Sequence, residues 1–236
     1  MGSGPKRTPP PGFPARFLER IPKEEADRIA AEARRRRFRR GEVVFHEGDT
    51  GDALHVVVRG RFAIKVSTPE GEIVTLAILG PGEIFGELAL LDADDARTAT
   101  IVATEVAETL SLSRVHFDRL RERYPSVAEF LLWVLAEKLR RYTRLLVEAL
   151  YVGAERRVLK RVSELADVYA AVQNNLVIPL TQTDIGGLAG TSRATVNRVL
   201  RQEQERGTLV LDRGRITILD LDRLRRRADP TAAQAG

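Results

Sequence analysis

FGELALLDADDARTATI, residues 85–101, sets a glycine and a glutamate ahead of a short apolar turn, an acidic stretch and then Arg-Thr-Ala-Thr. Each residue type has a chemical use if the segment folds back on itself. Gly86 lets backbone approach a ligand closely, because no Cβ stands in the way. Glu87 offers a carboxylate to a sugar hydroxyl. A turn over Leu88, Ala89 and Leu90 can aim backbone N–H groups at an anion, Arg97 adds a charge-assisted fork, and Thr98 adds a hydroxyl and its N–H. Together they suit a cyclic phosphodiester on a ribose. The plainer alternative is a surface loop in which Glu87 and Arg97 make an ordinary salt bridge.

The segment lies in a region of short strands. From Glu42 to about Thr109 the apolar period is two: Leu54, Val56 and Val58 alternate with Ala53, His55 and Val57, and RFAIKVS and EIVTLAIL follow. GDTGD at 48–52, PEG at 69–71 and GPGE at 80–83 mark tight connections, which predicts an all-β barrel or roll. Val74, Leu76 and Ile84 are the candidates for apolar surroundings of a base. Upstream, Phe17, Leu18, Ile21, Ala26, Ile29 and Ala30 have helical spacing, and MGSGPKRTPPPG reads as a disordered tail.

From Pro125 to about Tyr151 the sequence has no internal Gly or Pro, which predicts one long helix. Ala128, Leu132, Leu135, Leu139, Tyr142, Leu146 and Ala149 step by four and three, a heptad seam suited to a partner helix. Phe130, Leu131 and Val134 form a second apolar face. A parallel homodimer is expected, with Gly153 as the hinge zone after the helix.

Residues 180–207, LTQTDIGGLAGTSRATVNRVLRQEQERG, hold two short helical patterns. Thr181 or Thr183 can cap the first, Gly190 can end it in a tight turn, and Ser192 can cap the second. This is a helix-turn-helix pattern, whose second helix enters the major groove of double-stranded DNA. Arg193 and Arg198, with Asn197 beside them, are the candidate base readers. Thr181, Thr191, Ser192 and Thr195 suit phosphates, and Arg213 and Arg215 of the TLVLDRGRITIL hairpin suit the flanking backbone.

Composition narrows the classes. The chain has 236 residues, a formal charge of +5 and no cysteine, which excludes disulfides, thiolate zinc, cysteine-ligated iron-sulfur clusters and a cysteine nucleophile. Without a signal-like leader or a run of about 18 apolar residues, a cytoplasmic protein with no membrane partner is expected. His46, His55 and His116 are isolated, so neither haem nor a metal site is expected. No Walker loop, metal cluster or Ser-His-Asp arrangement points to an enzyme.

FGELALL followed by ARTAT resembles the phosphate-binding cassette of cyclic-nucleotide-binding domains, and TSRATVNRVL resembles the recognition helix of the Crp/Fnr family of bacterial transcription regulators. The resemblance covers roughly residues 15–226. It implies an α+β fold: an N-terminal cyclic-nucleotide-binding β-roll at 15–124, a dimerisation helix and hinge at 125–152, and a C-terminal winged helix-turn-helix at 153–226. Residues 1–14 and 227–236 are expected to be disordered tails. The implied effector is cyclic AMP, ahead of cyclic GMP, held by Gly86, Glu87, Leu88, Ala89, Arg97 and Thr98. Tyr142 and Thr143 stand where the best-known cyclic-AMP receptor proteins present a Thr-Ser pair to adenine. Ala194 replaces a glutamate of the recognition helix, and Glu203 falls where that helix usually offers a leucine to the core. RNA polymerase is the implied partner, with the loop from Val172 to Asn175 as a contact. The alternative is a member that is constitutive or senses another small molecule, with a vestigial cassette.

Overall fold

The computed structural model describes residues 22–91, 96–170 and 176–229. Phe17, Leu18 and Ile21, most of the acidic stretch after Leu91, and the loop from Val172 to Asn175 lie outside them. The chain divides into two compact units, Met1–Ile64 with Ile78–Leu139, and Lys65–Ala77 with Arg140–Gly236.

Helix α1 (Lys23–Glu32) is the first element among the described residues, followed by strands β1 (Arg34–Phe38), β2 (Val43–Phe45), β3 (Ala53–Arg59), β4 (Phe62–Ser67), β5 (Ile73–Leu79) and β6 (Ile84–Phe85). A 3-10 turn covers Leu88–Leu90, and β7 (Thr100–Ala103) and β8 (Ala107–Ser113) complete the roll. Its two sheets have the orders β1-β8-β3-β6 and β2-β7-β4-β5. The alternation read from the sequence serves this double layer, but β3 is buried at five successive positions from Ala53. A strand covered on both faces loses its polar alternation.

Two elements go beyond the expected pattern. β1 reads RRRRF, and only Phe38 is buried; pairing with β8 makes it a strand, with Arg35 and Arg37 both on Glu108. Part of the basic excess is therefore spread on an exposed edge strand. Helix α2 (Arg114–Arg123) is capped by Ser113 and buries Phe117 and Leu120. Ile29, Leu54, Leu110, Leu112, Phe117 and Leu120 pack with Val127, Phe130, Leu131 and Val134 of the long helix α3 (Pro125–Tyr151). The second apolar face thus lies in the core. Most of the seam faces outward: Leu132, Leu139, Tyr142 and Leu146 are exposed, Leu139 to 68%, whereas Ala128 is half-buried and Leu135 is half-buried against the core.

In the second unit, α4 (Ala154–Ala170) precedes β9 (Val177–Ile178), α5 (Gln182–Ala189), α6 (Arg193–Glu205), β10 (Leu209–Asp212), β11 (Arg215–Ile218) and α7 (Leu221–Ala228). β9 adds a third strand to the expected hairpin, in the order β10-β11-β9. Helix α7 continues through Arg227 and Ala228, past the limit of 226 set from the sequence. It stays ordered because Leu224 is fully buried and Arg227 is ion-paired to Glu203 and Glu155.

Candidate nucleotide cassette and helix-turn-helix

The cassette is assembled at the end of β6. Gly86 has φ +80°, where a glycine has no steric cost, and a Cβ there would stand 2.7 Å from Arg97 Nη1 and 2.9 Å from the Ala53 carbonyl oxygen. The glycine therefore makes room for Arg97. The 3-10 turn bonds itself through Leu90 N–H to Glu87 O and Leu91 N–H to Leu88 O. Leu88 and Thr98 are exposed.

Arg97 is only 4% exposed, so it lies within the wall of the roll. Its Nη1 donates to Gly86 O at 2.9 Å, its Nη2 donates to Ala53 O at 2.8 Å, and its guanidinium lies 4.1 Å above the centre of the Phe45 ring. Burial lowers its pKa, opposed by Asp52, Asp49 and Glu87. Glu87 is 3% exposed and is paired with Lys138 Nζ at 2.7 Å. An ordinary Glu87–Arg97 salt bridge is therefore not the arrangement: Arg97 takes two carbonyls, with Asp52 Oδ1 3.5 Å from its Nη2, and Glu87 takes a lysine the sequence reading did not single out. Lys138 precedes Tyr142 by one helical turn, the one signal that could have marked it.

These groups fit a cyclic nucleotide. A buried carboxylate suits a hydroxyl donor, and Arg97 Nε is buried without an acceptor, an orphan donor that an anion could satisfy. Of the apolar candidates, Ile84 is buried and Leu76 is exposed. Tyr142 and Thr143 are exposed on the part of α3 that belongs to the second unit. Among the described residues, no group of three or more His, Cys, Asp or Glu could hold a metal ion. His55 is buried against Phe85, with ring centroids 4.9 Å apart, and His116 Nδ1 meets Ser113 Oγ at 2.8 Å. Burial, with Arg36 and Arg97 nearby, lowers the pKa of His55 to about 3.

The helix-turn-helix is capped at each junction. Thr181 caps α5 in a reciprocal box with Asp184, Gly190 ends it in the left-handed region at φ +59°, and Ser192 caps α6 through Thr195 N–H. Burial would raise the pKa of Asp184, but hydrogen bonds from Thr181 and Thr75, with Lys65 nearby, bring it below the usual carboxylate value. Arg193, Arg198, Arg213 and Arg215 are exposed, and Thr191, Thr195 and Asn197 are half-buried. Arg215 Nε lies 3.1 Å from Asp212, and Arg198 is 4.0 Å from Glu155.

Arg157 of α4, which sequence reasoning missed, ties the turn to the end of the long helix. Its Nε and Nη2 donate to Ala189 O at 2.8 Å and Gly190 O at 2.9 Å, and its Nη1 donates to Ala149 O and Val152 O. Glu203, facing the core of this unit with no exposed surface, accepts from Thr208 Oγ1 at 2.8 Å and Arg206 Nη1 at 3.0 Å, and Arg227 Nε lies 2.9 Å away. A carboxylate takes the leucine position because two hydrogen-bond donors and a further guanidinium charge meet it there.

Comparison with known proteins agrees with both halves. Residues 35–124 match the cyclic nucleotide-binding domain, and residues 127–227 match the Crp-like helix-turn-helix domain. The chain is 35% identical, over 81% of its length and 86% of the relative's, to the CRP-like cAMP-activated global transcriptional regulator of Mycobacterium tuberculosis. It is also 35% identical to the cyclic AMP receptor protein of Thermus thermophilus, over 83% of this chain and 88% of that one. A solved CRP-family transcriptional regulator, also from Thermus thermophilus, is 25% identical, with a TM-score of 0.69 over 82% of this chain and 96% of that one. These relatives are transcription regulators, not enzymes, and the chain belongs with them to the CRP/FNR family of DNA-binding transcription regulators with a cyclic-nucleotide-binding domain.

Proposed function

We propose that this chain is a cytoplasmic, cyclic-AMP-gated regulator that binds a near-palindromic operator as a homodimer and acts on RNA polymerase. The observation that carries the reading is one polypeptide holding both the Gly86–Glu87–Arg97 cassette and an exposed, capped recognition helix with Arg193 and Arg198. Glu87 would accept the ribose hydroxyl, and Arg97, Thr98 and the turn at Leu88–Leu90 would meet the cyclic phosphate, with Tyr142 and Thr143 toward the base. The bound nucleotide supplies one negative charge and an aromatic face.

The exposed seam of α3 supports the homodimer. A stripe with Leu132, Leu139 and Leu146 in water is unfavourable until a second copy covers it. Two recognition helices then have to match major grooves about 34 Å apart, so a change at the end of α3 changes DNA affinity. The ligand shifts that equilibrium only by its differential affinity for the two arrangements.

Calorimetric titration of the purified protein with cyclic AMP and cyclic GMP tests the reading. Binding of cyclic AMP, with tighter DNA association in its presence, is the expected result. No binding of either nucleotide removes the sensor assignment and favours a constitutive regulator.

A further inference from the structure

The end of the β4–β5 hairpin, Lys65–Ala77, falls in the same compact unit as the helix-turn-helix. Thr75 Oγ1 donates to Asp184 Oδ1 at 2.8 Å, and Lys65 Nζ stands 3.5 Å from the same oxygen. Gly187, three residues on from Asp184 in α5, meets the backbone of Thr75: a Cβ there would lie 2.6 Å from both its nitrogen and its oxygen. Only a glycine permits that approach. Asp184 Oδ2 meanwhile accepts from Thr181 N–H at 3.0 Å and from Thr181 Oγ1 at 2.6 Å. One carboxylate thus joins the N-cap of the first helix to the hairpin.

In a helix-turn-helix the first helix crosses the DNA backbone, and donors at its N-terminus meet phosphate. A phosphate approaching Thr181 competes with Asp184 for the same N–H and hydroxyl, and meets its negative charge. Thr75 and Lys65 hold that carboxylate where it is. We propose that the hairpin is an intramolecular clamp on α5 that opposes DNA binding, and that the DNA-binding form parts Thr75 from Asp184 and Gly187. This rests on the reading of the chain as a DNA-binding regulator.

The test uses full-length wild type, Thr75→Val and Gly187→Ala. A duplex is selected from a random pool by wild type with cyclic AMP, and affinity is read by fluorescence anisotropy with and without the nucleotide. Thr75→Val keeps the shape and removes one hydrogen bond, worth about fivefold in an equilibrium constant. Gly187→Ala pushes the hairpin off while favouring the helix. Without cyclic AMP, Thr75→Val binds the duplex about fivefold more tightly than wild type by that hydrogen-bond value, and Gly187→Ala gains at least as much. With cyclic AMP the three converge. Thr75→Val decides alone if circular dichroism shows Gly187→Ala to be misfolded. A folded Thr75→Val that gains nothing without cyclic AMP, while wild type responds to it, overturns the clamp and leaves the regulator reading standing. A pool that yields no bound duplex overturns both.

Discussion

Lys138 Nζ stands 2.7 Å from Glu87 Oε1, so a cation from the long helix holds the carboxylate proposed for the ribose. Glu87 is almost fully buried, and a buried charge without its partner costs far more than the pair contributes. Lys138→Met should destabilise the protein by about 3 kcal/mol in urea unfolding. Adding Glu87→Gln should recover part of that loss, because the amide is neutral; a double-mutant cycle reads the coupling.

Gly86→Ala should be damaging twice over. The backbone at φ +80° is strained for any L side chain, and the new methyl group meets Arg97 Nη1. We expect a loss of about 1–3 kcal/mol in stability and at least a tenfold fall in cyclic-AMP affinity, read by thermal melting and calorimetry. Unchanged affinity would mean that Arg97 does not serve the nucleotide from the position Gly86 gives it.

Much of the fold was legible because it rests on local chemistry. The N-caps Thr181 and Ser192, the left-handed Gly190 and the apolar seam of α3 are set by residue type and spacing. β1 was not legible: four arginines carry no strand period, and pairing with β8 decides their conformation. Nor was the inward turn of Arg97, whose acceptors are backbone carbonyls of Gly86 and Ala53. Lys138 reaches Glu87 across 51 residues, and Glu203 depends on Arg227 of another helix. Contacts of that kind are tertiary, and neither propensity nor period carries them.

His55 gives the roll an acid limit. Above pH 6.5 the imidazole is neutral both folded and unfolded; below it the unfolded chain takes up a proton that the buried ring refuses until about pH 3. The depressed pKa of a base therefore costs stability as pH falls through that window, on the order of 4 kcal/mol by pH 3. Urea midpoints measured from pH 7 to pH 4 should decline, and His55→Gln, which keeps a partner for Thr109, should flatten the slope.

The seam predicts assembly. Leu139→Glu with Leu146→Glu places charges on the exposed stripe without touching Phe130, Leu131 or Val134 in the core. Sedimentation should show a monomer that unfolds much as wild type does at the roll, and operator affinity should fall by about a hundredfold or more as the two half-sites cease to be linked. A variant that remains dimeric would place the interface elsewhere.

Arg157 spans two carbonyls at the end of the long helix, Ala149 and Val152, and two at the helix-turn-helix turn, Ala189 and Gly190. A lysine keeps the charge but lacks the planar fork, so Arg157→Lys cannot serve both ends. It should cost about 1–3 kcal/mol in stability, from carbonyls left unpaired. The informative readout is a split between ligand and DNA. Cyclic-AMP affinity should stay near wild type, because Arg157 touches none of the cassette, while the gain in DNA affinity caused by cyclic AMP shrinks. If the two affinities fall together, Arg157 is structural only; if the response to cyclic AMP is intact, movement at the end of α3 reaches the recognition helix by another path.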